Sequence, residues 1–218
     1  MEGYATEEQQ VEAIKKWWKE HGSNVITSGL LALAIFFGGR AWLDYRDGQS
    51  EAASAEYEAM MQSMRAGEKE AVFSRGDTLL QKYSGTPYAS LAAFALARVK
   101  LEQNDPAAAE AHLRWVLSNN SEDEIQNITK LRLSRVLLAQ EKHDEALKII
   151  PSESGSFQSS FDEIKGDIYL AKGDRQAAKS AYEQALLVLP ADSNNRALLQ
   201  MKLDDFGPTT TPAEDNNQ

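Results

Sequence analysis

Between His21 and Arg40 lie eighteen consecutive residues without a charge, GSNVITSGLLALAIFFGG, and this run decides which class of fold the chain can adopt. As a helix at ~1.5 Å per residue it spans about 27 Å. A bilayer core is roughly 30 Å thick, and Trp42 and Leu43 extend the run beyond Arg40. A cleaved signal peptide requires a basic start and a small-residue cleavage site. The preceding segment instead begins acidic, with Glu2, Glu7, Glu8 and Glu12, and its only plausible cut follows Gly39-Arg40-Ala41. A buried soluble helix keeps a polar face, and Leu30, Leu31, Leu33, Ile35, Phe36 and Phe37 leave none. The run therefore reads as a retained transmembrane helix over 22–43, with Ser23, Asn24, Thr27 and Ser28 making its first turns polar.

Lys15, Lys16 and Lys19 precede the span, and Arg40 and Arg46 follow it. Three cations against two favour a cytoplasmic N-terminus, and a long acidic domain translocates largely regardless of charge. Trp17, Trp18 and Trp42 bracket the run where aromatic belts lie. Ala34 and Gly38 form a small-xxx-small pair that permits close helix contact. Ahead of the span, Thr6 and Gln9 fit a capping box and Gly22 a C-terminal stop, predicting a short separate helix with Val11, Ile14 and Trp18 on one face.

The chain holds 23 basic and 33 acidic residues, a net charge of −10. Residues 1–46 carry five of the basic and six of the acidic groups, so the remainder carries about −9. That balance argues against nucleic-acid binding, which shows a basic stripe, and discourages contact with anionic lipid beyond the anchor. The absence of cysteine excludes disulfides, thiolate metal sites and cysteine catalysis.

From Ser50 onward the pattern is helical, with Ala and Leu dominant and short polar breaks of Gly, Asn, Asp or Pro. One stretch, 159–192, reads as helix, tight turn, helix and then Pro190. Its small residues are Gly166, Ala178 and Ala185, its large ones Tyr169 and Tyr182, and its turn is Gly173-Asp174. This pattern is similar to the tetratricopeptide consensus. Two closely packed antiparallel helices need small residues where backbones cross and large ones beside them, so Gly166 and Ala178 are assigned to the crossing, Tyr169 and Tyr182 to the filling. Weaker copies place turns at Asn104-Asp105, with Ala97, Ala109 and Leu113, and at Glu141-Lys142, with Ser134, Ala146 and Ile150. A degenerate first pair turns at Gly67-Glu68 behind Tyr57, Met60, Met61 and Met64. The turns are 37, 37 and 32 residues apart, bracketing the expected period of about 34. The predicted fold is all-α: a single N-terminal transmembrane helix, then a tetratricopeptide-like α-solenoid of about four helix pairs. The segments are 1–21, 22–43, 44–206 and a disordered tail over 207–218.

Catalytic signatures are missing. His21, His112 and His143 are isolated from carboxylates and from each other, and no GxxxxGK[ST], GxSxG or HExxH occurs. Glu122, Asp123 and Glu124 read as a solvated capping turn, and Asp162 and Glu163 as acids at a helix entry. No enzyme activity, metal, cofactor or small-molecule substrate is expected. Repeat solenoids offer instead a concave surface lined by the first helix of each pair. Equivalent inward positions carry Phe94, Arg98 and Leu101, then Leu131, Arg135 and Leu138, then Glu163, Asp167 and Leu170. Arg98 and Arg135 share a repeat position; they either hold an extended partner segment or pair with neighbouring carboxylates.

The order of parts carries a further resemblance. A Glu-rich start leads into VEAIKKWWKEHG at Val11–Gly22, a single span ends in GGRAW at Gly38–Trp42, and degenerate repeats follow. This resembles the YfgM-type ancillary subunits of the bacterial SecYEG translocon over essentially the full chain. The resemblance implies an inner-membrane protein with a cytoplasmic N-terminus and a periplasmic repeat domain. It further implies association with SecYEG and with the membrane-anchored periplasmic chaperone PpiD, near newly exported proteins. Two other classes remain to be weighed: a soluble helical-repeat adaptor, and a membrane-tethered regulator that sequesters a cytoplasmic factor.

Overall fold

The computed structural model describes residues 7–207, and among these there are nine α-helices, one 3₁₀ turn and no strand. The chain divides into two compact units between Ala52 and Ala53. Helix α1 (Glu7–Ala66) runs through the first unit and supplies the first helix of the second. The second unit continues with α2 (Lys69–Lys82), α3 (Pro87–Glu102), α4 (Pro106–Asn119), α5 (Asp123–Ala139) and α6 (His143–Ile149). After a 3₁₀ turn at Gly155–Phe157 come α7 (Gln158–Ala171), α8 (Arg175–Val188) and α9 (Arg196–Asp204).

In the first unit the stop expected at Gly22 does not occur. A Cβ there would lie 3.1 Å from the Trp18 indole, one turn earlier, so the glycine gives the ring room while the hydrogen-bond ladder continues. Thr6 of the expected capping box lies outside the described residues, as do residues 208–218 of the expected tail. Among the described residues one helix is long and apolar enough to cross a membrane by length and composition, and none of its apolar window is buried. Ile35 is 67% exposed and Phe36 64%. Thr27 donates its hydroxyl to the Ser23 carbonyl at 2.8 Å, absorbing one of the polar groups within the helix. Trp17 stacks on His21 with centroids 5.5 Å apart, and Arg46 lies 5.4 Å from the Trp42 ring.

The second unit begins inside α1, at Ala53, and Ala53 and Met60 are its first fully buried side chains. Four helix pairs follow: the end of α1 with α2, α3 with α4, α5 with α6, and α7 with α8. Each pair turns through one residue in the left-handed region: Gly67 (φ 75°), Asn104 (57°), Glu141 (60°) and Gly173 (82°). The hydrogen bonds repeat with them. Each of these residues donates its N–H to the carbonyl three back, and the next residue donates to the carbonyl five back, as in Gly173→Leu170 (3.0 Å) and Asp174→Tyr169 (2.9 Å). These are Schellman closures, which satisfy helix-terminal carbonyls that would otherwise lack partners. Pro87 and Pro106 begin α3 and α4, where a missing N–H costs nothing. Asp105 and Asp174 cap α4 and α8 by accepting from the Ala108 and Ala177 amides at 3.0 Å.

Apolar burial is continuous from pair to pair. Met60, Val72, Leu79 and Leu96 join the first two pairs, and Leu113, Leu133, Leu137, Phe161 and Ile168 join the second to the fourth. A Cβ on Gly76 would meet Leu96 at 2.7 Å, so a small residue sets the approach of α2 to α3. Gly166 plays this part between α7 and α8, though with a different partner from the one expected. A Cβ there would run into the Tyr182 ring rather than meet Ala178. Tyr182 thus fills the space that Gly166 vacates, Ala178 and Ala185 are fully buried beside it, and Tyr169 is half-buried. Pro190 lies two residues beyond the end of α8.

Candidate functional site

Three elements of the second unit enclose an apolar cavity of about 260 Å³. Helix α3 contributes Phe94, Ala97, Arg98 and Leu101, a face at spacing i, i+3, i+4, i+7. Helix α5 contributes Arg132, Arg135, Val136 and Ala139 at the same spacing, and Leu113 of α4 closes the floor. Phe94, Arg98, Leu101 and Arg135 are therefore brought together around one cavity. Leu131 and Leu138 do not line it: both are partly buried, packed against the core of the second to fourth pairs. Neighbouring first helices meet with different faces, so residues sharing a repeat position need not share a cavity. Arg132 is the residue that alignment by repeat missed. Its position three before Arg135 was the available signal, since that spacing puts both on one face.

The electrostatics around this cavity are uneven. Arg98 donates through Nε to Glu102 at 2.9 Å, an exposed i,i+4 pair. Arg132 places Cζ 4.4 Å from the Phe94 ring centroid, a cation–π contact. Among the described residues, neither Arg132 nor Arg135 has an ion pair. One arginine of the expected two is thus paired with a carboxylate, and the other is not.

The third expected triplet, Glu163, Asp167 and Leu170, sits elsewhere, under the last helix. Lys202 of α9 donates to Glu163 at 2.8 Å and to Asp167 at 2.7 Å. The Tyr182 hydroxyl also donates to Asp167, at 2.7 Å. Burial and that carboxylate together raise the tyrosine pKa. Phe206 packs edge-on against Tyr182 at 5.9 Å, with Arg175 4.8 Å from the Phe206 ring. Leu199 is fully buried, and the Arg196 guanidinium donates to the Leu189 carbonyl at 3.1 Å, near the end of α8. Helix α9 therefore closes the stack over its fourth pair, and Asp167 is committed to holding it. Leu170 stays partly exposed at its edge.

Other polar clusters link repeats. Glu110 of α4 accepts from Arg114 (2.7 Å), Gln140 (2.9 Å) and Lys142 (2.8 Å), and Arg114 also bonds Glu145. Burial works to raise the Glu110 pKa, but the three donors outweigh it and hold it at about 2. Lys172, in the last turn, reaches back to Asp144 at 2.6 Å. Asp162 lies a full turn inside α7, not at its entry, because the 3₁₀ turn starts the helix earlier; it accepts from Gln158 and Lys165, both at 2.9 Å. Burial lowers the His112 pKa, leaving a neutral packing imidazole at neutral pH. An open polar cleft of about 960 Å³ near Asn120 and Lys130 has more room, but its lining is mostly loop and helix-end groups such as Gln126, whose amide is bonded to the Leu117 carbonyl at 2.9 Å. Among the described residues no group of three His, Asp or Glu side chains is placed to hold a metal ion.

Residues 15–208 match a family model described as a tetratricopeptide repeat-like domain, a match that includes the apolar span. Among curated proteins, a relative from Haemophilus influenzae is 35% identical over 180 residues, covering 82% of this chain and 88% of its own. One from Neisseria gonorrhoeae is 31% identical over 208 residues, 94% of this chain and 100% of its own. One from Escherichia coli K12 is 28% identical over 209 residues, 94% of this chain and 99% of its own. Each carries the name ancillary SecYEG translocon subunit. No solved structure matches significantly.

Proposed function

This chain belongs to the ancillary SecYEG translocon subunit family, with its tetratricopeptide repeat-like domain, and from that membership we propose that it holds an interaction scaffold beside the protein-export channel. The family is one of non-enzymatic scaffolds, and this chain is one of them. In the proposed arrangement residues 22–43 cross the bacterial inner membrane once, the N-terminus is cytoplasmic and the repeat domain is periplasmic. There the domain acts with a PpiD-like membrane-anchored chaperone on newly exported proteins.

The observation that carries this reading is the exposed apolar stretch of α1 joined to a fully helical repeat stack. Leaving Leu30, Leu31, Phe36 and Phe37 in water would be unfavourable by roughly 1.5–3 kcal/mol per side chain. A lipid core removes that term. It also favours an unbroken helix through Gly29, Gly38 and Gly39, because unpaired backbone in hydrocarbon costs more than the roughly 1 kcal/mol of helix propensity each glycine forfeits. The three lysines before the span against two arginines after it support the cytoplasmic N-terminus.

The test is affinity purification of the full chain from membranes in mild detergent. SecYEG and a PpiD-like chaperone are expected among the co-purifying proteins, and their absence under conditions that preserve the translocon overturns the reading. Protease added to spheroplasts is expected to digest the repeat domain; protection would reverse the orientation.

A further inference from the structure

We propose that the cavity between α3 and α5 takes an extended peptide segment whose central apolar side chain is flanked by carboxylates. The inference rests on the scaffold reading above and names the chemistry of what the scaffold holds. Phe94, Leu101 and Val136 make an apolar floor, and about 260 Å³ gives room for a large side chain. At this floor stand three guanidiniums, Arg98, Arg132 and Arg135, in a chain whose net charge is −10.

Ordinary use as surface solubilisers does not account for their placement. Arg132, though exposed, rests its guanidinium on the Phe94 ring, which places its charge at the cavity. Among the described residues Arg132 and Arg135 have no carboxylate partner, although acids outnumber bases in the chain by ten. Glu102 is the one carboxylate paired here, and its pair with Arg98 is exposed on both sides, so an incoming acid can displace it at little cost. Guanidiniums grip carboxylates through two parallel N–H donors. An extended segment spaces alternate side chains at about 6–7 Å, which lets acids on either side of a buried apolar residue reach different arginines. Nucleic acid, the other polyanion, meets no basic stripe on this chain and is repelled by its net charge.

The experiment uses the full chain in nanodiscs of zwitterionic lipid and measures fluorescence anisotropy of labelled ten-residue peptides. One peptide carries a central Phe with Glu two residues to either side of it, a second the same Phe with Gln at those positions, a third with Lys there. The Glu peptide is expected to bind at least tenfold tighter than the Gln peptide, and the Lys peptide not at all. Arg132→Gln with Arg135→Gln is expected to abolish that preference with an unchanged thermal midpoint. Glu102→Gln is expected to tighten binding of the Glu peptide several-fold, by releasing Arg98. Equal binding of the Glu and Gln peptides, no binding of either, or an undiminished preference in the double variant overturns the proposal. So does saturable binding of anionic vesicles that the same double variant abolishes while the Glu peptide stays unbound. If the peptide arm fails while SecYEG still co-purifies, the cavity assignment falls and the scaffold reading stands; loss of co-purification with peptide binding intact separates them the other way.

Discussion

Glu141 occupies a conformation that a β-carbon disfavours, with φ 60° in a position filled by glycine in the first and fourth turns. An L-residue in the left-handed region is strained by roughly 1–2 kcal/mol, partly offset by the entropy a glycine adds to the unfolded chain. Glu141→Gly is therefore expected to stabilise the domain by about 0.5–1 kcal/mol, raising the thermal midpoint by about 2 °C. A lower midpoint in calorimetry would contradict that strain. Gly166 is the opposite case. Its added methyl would have to displace the buried Tyr182 ring, which is anchored through its hydroxyl to Asp167. Gly166→Ala is expected to lose about 1–3 kcal/mol in urea unfolding; a neutral result would mean that α7 and α8 can separate freely. The sequence displayed Gly166 as small and Tyr182 as large, yet could not pair them, since which large side chain lies over which gap depends on the rotation of both helices. The same rotation hid Arg132 behind the better-aligned Leu131.

At the scale of elements the repeat boundaries were legible almost residue by residue, because the breaks at Gly67, Asn104, Glu141 and Gly173 are chemical as well as geometric. What escaped was the joinery between elements. Glu110 could not be singled out among 33 acids, for its three donors come from its own helix and from the turn thirty residues on. Nor did any pattern mark α9 as the closing helix, since its nine residues show only Leu199 fully buried. The Glu110 cluster has a pH signature. Its folded pKa is depressed from the ordinary 4.5 to about 2, so its stabilisation is complete above about pH 4.5 and is lost as pH falls toward 2. Glu110→Gln is expected to cost about 1–2 kcal/mol at neutral pH, the partly exposed Arg114 and Lys142 limiting the effect. The gap between variant and parent should close across that acid window. A constant difference from pH 6 to pH 2 would show that the carboxylate charge is not what joins α4 to the following turn.

For the whole molecule, the proposed reading divides the labour between an uncharged run, which would fix position, and a repeat stack, which presents surface. Carbonate extraction of membranes is expected to leave the full chain in the pellet, and complete release to the supernatant would refute the anchor. A stack of this kind has one further property. Its helix pairs contact only their neighbours, so any pull between the α1 end and a partner held on the fourth pair would pass through each interface in series. Helix α6 has seven residues and one buried side chain, Ala146, where the corresponding helices of the other pairs have fourteen. The third pair is thus the thinnest link, and under load the chain should part there first, at α6. Amide exchange is expected to be faster over 143–149 than over 106–119 or 175–188. Such a stack would give way at one chosen place and close again when released, behaving as a mechanical fuse between the first two pairs and whatever the fourth pair holds.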